Sequence, residues 1–384
     1  MNQTSLRYPY STSECRATFF LCALLFIVSW WLFAFSGHVE TPTSFSLPSI
    51  HSLEPYLKRS ELHQALSGDF RLMHTLIKKW SKDVPSLNHL HSNQKYIDHL
   101  LEQTLHNFIQ IPSTQFLPQT YLAADFLLAL VKPQQVMALP NGFRTHTILH
   151  TTTSTNLIPL DFHEVSQEKL VLSPPTMAFI APYSNPHVVS RLKAQNIPLF
   201  ITKNIQSIAD IHEQLLKIGH SLQRPDAAKL LSIFMEAAFT AIDHFLVVNQ
   251  INNSSPNSKI LYLSHYGHVS MPAFNTLIGE LLKRLGISQA VFTSGKKSRE
   301  NEWIHAVTTE KIAAYQPGGI IVSISGGSSK KEELLRKLKP SGQAFLFPSN
   351  KLCLVEEKVQ QSTSQYAVLA YYDLANAILH FKDD

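Results

Sequence analysis

The chain has 384 residues, a formal net charge of +5, 44% hydrophobic residues and 16% charged ones. That is the make-up of a globular protein with room for two domains, and it excludes a disordered chain. The positive charge is spread out, without Lys/Arg clusters interleaved with aromatics, which argues against a nucleic-acid partner; three cysteines, Cys15, Cys22 and Cys353, exclude a disulfide framework or a cysteine-based zinc site.

Residues 17–35, ATFFLCALLFIVSWWLFAF, are uninterrupted apolar sequence. A helix of that length spans roughly 28 Å, close to the thickness of a bilayer core. Arg7 and Arg16 precede it and no Lys or Arg follows until Lys58, a bias that keeps the N-terminus in the cytoplasm and exports the rest. Small residues at Ala34 and Ser36 before Gly37 favour signal-peptide cleavage, whereas the length of the run and the Trp30-Trp31 pair favour a retained membrane anchor. Both outcomes stay open. Residues 1–36 are therefore expected to be a signal peptide or anchor of a periplasmic or otherwise extracytoplasmic protein.

Residues 37–55 are rich in Ser, Thr and Pro and read as a linker, and 56–110 carry helical spacing, as in Leu72, Leu76, Ile77 and Trp80. Together 37–110 form a linker and helical extension. From 111 short apolar strands alternate with helices. The expected elements are a helix at 120–131, strands at 134–140 and 176–181, a helix at 187–197, a strand at 198–202 and a helix at 207–222. The stretch RPDAAKLLSIFMEAAFTAIDHFLVVNQ, 224–250, predicts one long helix, with Pro225 in its first turn and a polar loop after it. Strands at 259–264, 290–294, 319–325 and 343–349 then alternate with helices at 272–286, 309–316, 331–338 and 364–381. This predicts an N-terminal α/β lobe over 111–223, an interlobe helix over 224–251 and a C-terminal α/β lobe over 258–384.

Two stretches overlay: VSQEKLVLSPPTMAFI at 165–180 and VTTEKIAAYQPGGIIV at 307–322. Ser166 and Thr308 suit helix N-caps, Glu168 and Glu310 fall in the first turns, and Pro175 and Pro317 follow at equal spacing before a strand. On this repeat, and on RLKAQNIPLFITKNIQSIADIHEQLLKIGHSLQRPDAAKLL at 191–231, the chain from about 111 onward resembles the class III periplasmic binding proteins. That family delivers vitamin B12, ferric siderophores and haem to ABC importers.

The resemblance implies two Rossmann-like lobes with parallel sheets, joined by one long helix, and a ligand in the cleft between them. It implies a solute-binding protein rather than an enzyme, with no resident cofactor or metal, whose ligand is an iron chelate, haem or cobalamin and whose partner is a permease dimer. In its B12 branch a glutamate on each lobe docks on permease arginines, and the matching positions here are Glu168 and Glu310. Ligand contacts are expected from loops at the carboxyl ends of strands. These are Tyr183, Ser184 and Asn185 in the first lobe, and His265, Tyr266 and His268 in the second. Trp303 and Tyr266 match ligand-facing aromatic positions, and Ser325 opens a Gly/Ser-rich loop that offers backbone donors.

The sequence departs from the pattern in several places. There is no lipobox, the extension 37–110 is longer than the family needs, and Asp161, with Phe162 beside it, stands where the haem branch carries a tyrosine. Two rivals follow. One is an envelope scaffold that kept the fold without a ligand. The other, a membrane-anchored transferase, lacks the Asp-x-Asp, GxGxxG, GxSxG and P-loop patterns its chemistry would need.

Overall fold

The computed structural model describes residues 52–109, 114–149, 153–248, 260–265, 269–273, 275–287, 304–306, 309–325 and 352–381, all within one folded unit, Ser46–Asp384. The apolar run 17–35, the strands expected at 290–294 and 343–349 and the helix at 331–338 lie outside them.

Two sheets carry the α/β part. The first is parallel, in the order β1 (Phe116–Pro118), β2 (Met177–Ile180), β3 (Leu199–Ile201). The second has the order β6-β5-β4-β7-β8, from β4 (Ile260–His265), β5 (Val269–Pro272), β6 (Ile304–Ala306), β7 (Gly319–Ile324) and β8 (Leu352–Glu356). Here β4, β7 and β8 are parallel, but β5 runs antiparallel to β4 and β6. Two of its four pairings are therefore antiparallel, against the all-parallel expectation, because β5 alone runs against the other strands. Only three residues separate the end of β4 from the start of β5, too short a link for a crossover, and the two strands pair antiparallel.

Alternation along the strands puts each sheet between two apolar layers. Leu261, Leu263, Ile320, Val322 and Leu354 pack on one face of the second sheet, while Ile260, Tyr262, Ile321, Cys353 and Val355 face the main core. Leu117, Ala178 and Ile180 likewise oppose Phe116 and Phe179 in the first sheet.

The helices are α1 (Arg59–Leu66), α2 (Phe70–Asp83), α3 (Gln94–Ile109), α4 (Tyr121–Leu130), α5 (Gln167–Leu172), α6 (Pro186–Ala194), α7 (Ile208–Ser221), α8 (Pro225–Val248), α9 (Leu277–Arg284), α10 (Thr309–Tyr315) and α11 (Ala367–His380), with shorter turns between them. Their starts are set by side-chain caps. Asp69 accepts the Leu72 N–H at 3.0 Å, Thr120 that of Ala123 at 3.2 Å, and Ser207 and Asp210 form a reciprocal capping box.

The segment 134–140 is not a strand. Pro133 opens a short 3₁₀ turn, and only Val136 and Leu139 make single bridges, to Phe116 and Asp161. Strands β1, β5, β6 and β8 were not expected from the sequence.

Helix α8 is long and apolar enough to cross a membrane by length and composition, yet it is the centre of the core. Leu230, Leu231, Phe234, Met235, Phe239 and Ile242 have no exposed surface, and Lys229 and Glu236 mark a narrow polar stripe. The extension supplies much of its cover. Trp80 of α2 stacks on Phe234 at 5.6 Å between ring centroids, and Tyr56 meets Phe245 at 5.4 Å. The region read as linker and extension is thus built into the core from Leu53 onward, and Leu53 itself donates its N–H to Asn376 of α11.

Helices α7 and α8 meet at a turn that needs glycine. A Cβ on Gly219 would sit 2.2 Å from the Ala228 Cβ, and the Arg224 N–H bonds the Gly219 carbonyl at 2.7 Å. Gly219→Val is therefore expected to destabilise the fold by about 1–3 kcal/mol through overpacking. Removing the indole in Trp80→Ala is expected to cost about 3–5 kcal/mol. Both are read from urea unfolding midpoints, and an unchanged midpoint for either would contradict this packing.

Candidate functional site

Residues that follow β1, β2 and β3 in the first sheet and β7 and β8 in the second line a cleft of about 920 Å³. One wall comes from the first sheet: residues 119–122 after β1, Tyr183 after β2, 202–205 after β3, and 146–148. The other wall is Ser325 after β7 and residues 357–358 and 361–363 after β8. Strand ends with crossover helices behind them leave such a crevice, because each chain leaves its sheet there and turns away.

Of the expected ligand residues, the structure brings Tyr183 and Ser325 to this cleft. Tyr183 is 77% exposed at the rim, its ring free to lie against a flat ligand. Ser184 and Asn185 do not line the cleft. The Ser184 Oγ accepts the Ala181 N–H at 2.9 Å and the Asn185 Oδ1 accepts the His187 N–H at 2.9 Å, so both side chains serve the turn into α6. His265 is the last residue of β4, where it pairs with Val269. Tyr266, His268 and Trp303 lie outside the described residues.

Sequence reasoning missed the residues between β1 and α4 and those after β8. The signal available was the Thr120 cap and the polar run Gln361–Gln365 before an apolar helix, but neither marks a cleft without the strands beside it.

Charge in the cleft is unevenly balanced. Lys203 is held by Asp210 at 2.7 Å and Glu213 at 2.6 Å, which raises its own pKa and lowers both carboxyls. Lys358 makes no ion pair among the described residues. Glu357 is buried and accepts from the Gln361 amide at 2.6 Å. At the floor lies Asp125, 5% exposed, whose carboxyl burial pushes up to about 7 against the opposing pull of Ser364.

Behind the first wall, Arg144 fixes the loop that carries Asp161. Its Nε donates to the Asp161 Oδ1 at 3.0 Å, Nη1 to the Thr155 carbonyl at 2.7 Å and Nη2 to the Ile158 carbonyl. Asp161 is thus a structural ion-pair partner.

On the surface, Glu168 is exposed in the first turn of α5, capped by Ser166, whose Oγ accepts the Lys169 N–H at 3.1 Å. Glu310 is the second residue of α10, the matching helix of the other sheet. Val171 and Leu172, near Glu168 in sequence, are exposed apolar residues.

With the geometry in place, the chain can be set beside known proteins. No family model and no curated protein matches the sequence. Solved structures do match. A periplasmic haem-binding protein from Pseudomonas aeruginosa superposes with a TM-score of 0.53 at 14% identity, over 69% of this chain and 92% of that one. A possible iron-binding periplasmic solute-binding protein from Staphylococcus epidermidis gives 0.54 at 14% identity, over 69% and 98%. The haem-binding protein RhuT from Roseiflexus gives 0.52 at 15% identity, over 71% and 99%.

The fold is that of the class III periplasmic binding proteins. The extension 52–109 folds against α8, through contacts such as Trp80 on Phe234.

Arg144→Lys tests the first wall. A lysine cannot serve three acceptors in one plane, so it is expected to cost about 1–3 kcal/mol. The check is a thermal or urea midpoint, and a variant as stable as the parent would mean the loop does not depend on this guanidinium.

Proposed function

We propose that this chain is an extracytoplasmic substrate-binding protein of an ABC importer. It captures an iron chelate, either a ferric siderophore or haem, or else cobalamin, and delivers it to the permease. The observation that carries the reading is a cleft of about 920 Å³ at the carboxyl ends of strands from two sheets bridged by one helix. That volume suits a ligand of several hundred daltons. The superposed structures named above are haem- and iron-binding periplasmic proteins, which supports a metal chelate as the cargo.

No group of three or more His, Cys, Asp or Glu able to hold a bare metal ion occurs among the described residues. The reading is therefore recognition of a whole chelate through its organic surface. Tyr183 offers a ring to a macrocycle or catechol, and Ser325 a polar contact on the facing wall. With Asp161 in an ion pair to Arg144, haem ligation from that position is not part of the proposal.

Docking is assigned to Glu168 and Glu310. Carboxylates at the N-terminal turns of corresponding helices, one for each sheet, suit two arginine pockets of a symmetric permease. Residues 17–35 direct export in this reading, whether cleaved or kept as an anchor.

Calorimetric titration with cobalamin, hemin and a set of ferric siderophores is expected to give one saturable submicromolar partner. Tyr183→Ala is expected to weaken it by about tenfold, the scale of one aromatic contact. A folded protein that retains none of them would favour the scaffold. Glu168→Arg with Glu310→Arg is expected to abolish permease-stimulated uptake in vesicles while ligand affinity stays unchanged. Loss of affinity in that double variant would remove the docking assignment.

A further inference from the structure

Beneath the cleft runs a seam where α4 of the first wall meets the segment leading from the second wall into α11. Asp125, in α4, sits in that seam. Its Oδ2 accepts from the Ser364 Oγ at 2.6 Å, and its backbone carbonyl accepts from the Gln365 Nε2 at 3.0 Å. Ser364 and Gln365 have no exposed surface. The Ser364 Oγ is in turn 2.8 Å from the Ser362 Oγ, and Ser362 lines the cleft. A continuous hydrogen-bonded path therefore connects a buried acid on one wall to the surface of the other. The second oxygen, Oδ1, is buried and has no hydrogen-bond partner among the described residues.

We propose that Asp125 is a positioning residue for the cleft: a buried acid that fastens the second wall to the first, and fastens it more tightly as the surroundings become acidic. The link to ligand binding rests on the function proposed above, whereas the latch itself does not.

The groups around the acid explain the sign. On the 362–366 segment, Ser364 is its bonding partner and the buried Tyr366 phenol is pushed up by burial and by Asp125 itself. Tyr366 bonds Ser67 at 3.1 Å and lies 5.8 Å from the ring of His63, whose pKa burial lowers. The turn after β8 brings Glu357 and Lys358 to the same cleft, and the first wall brings His146 and Lys203, the latter held by its two carboxylates. None of these cations bonds to Asp125, so burial dominates and holds its carboxyl at about 7.

If the seam opens, water reaches the carboxyl and it returns to the usual carboxylate range, near 4. The closed state therefore binds an extra proton between about pH 4 and 7. Opening is resisted most at the acid end of that window, grows easier by up to about tenfold per pH unit through it, and levels off above about 7. Above that, the ionised acid carries a charged oxygen with no donor, which is the costly arrangement.

The test is hydrogen exchange by mass spectrometry on the full chain in mild detergent, following peptides that span 360–368. Wild type is compared with Asp125→Asn at each pH, which cancels the intrinsic pH dependence of exchange. The asparagine stays neutral and keeps a partner for Ser364. The protection ratio, variant over wild type, is expected to rise by up to about tenfold per unit between about pH 5 and 7 and to be flat above. A ratio that does not change with pH overturns the latch. Ser364→Ala is expected to lower protection of the same peptides at acid pH by about tenfold, and no loss there also overturns it.

Hemin titration on the same samples separates the two readings. Hemin binding alongside a pH-invariant seam leaves the binding function standing and removes the latch. A pH-responsive seam in a protein that binds nothing in the chelate panel leaves the latch standing and removes that function.

Discussion

Everything in this molecule depends on keeping helix α8 out of water. Six large side chains along it have no exposed surface, and each contributes roughly 1.5–3 kcal/mol when fully buried. One sheet cannot supply that cover, because a sheet packs on a single stripe of a helix. The chain covers α8 from several directions, with α7 on one side, α11 and the second sheet on another, and the extension's α2 and α3 over the rest. The extension is thus a structural part of the core, and its amphipathic helices exist in the form they do because α8 offers them an apolar surface.

Polar contacts then fix how the two sheets stand. The Glu280 carboxylate of α9 accepts the Ile208 N–H at the start of α7 at 2.6 Å, so a residue from the second half of the chain satisfies a helix end in the first. Arg284 of the same helix binds Asp243 of α8 at 2.8–3.0 Å, lies 5.1 Å from the Phe239 ring, and shares Asp243 with the Tyr371 hydroxyl. Such half-buried pairs add little to stability when intact, since desolvation offsets their attraction. Losing one partner is costly, because the remaining charge has nowhere to go. Their effect is to select one arrangement among those the apolar surfaces alone would tolerate.

How much of this the sequence made legible follows from the range of each signal. Helix α8 was plain because apolar spacing over many turns has no competing reading. Strands β2, β3, β4 and β7 were plain because each is a short apolar run between polar breaks. Strand β1 was hidden because it is Phe116–Pro118, too short to show alternation and closed by a proline. The run 134–140 has strand composition, yet Pro133 sets a tight turn and only single bridges form. At the site, Tyr183 and Ser325 were legible from the rule that ligands sit at strand ends. Ser184 and Asn185 obeyed the same rule but are taken up by the backbone of the turn. Asp125 was illegible, because an aspartate within YLAADFLLAL reads as one polar residue on an apolar helix, and only the fold shows that Ser364 waits opposite.

A binding site gains affinity when its walls are set before the ligand arrives, since less ordering remains to be done on capture. Here the walls are set by contacts between residues far apart in sequence: Asp125 with Ser364, Ile208 with Glu280, Leu53 with Asn376. Two of these three draw on the stretch from Leu53 to Asp125 that precedes most of the first sheet, and two end in the last turns of the chain around α11. The extension and the C-terminal helix therefore act on the cleft from behind. They hold its walls from the core side, away from the strand ends.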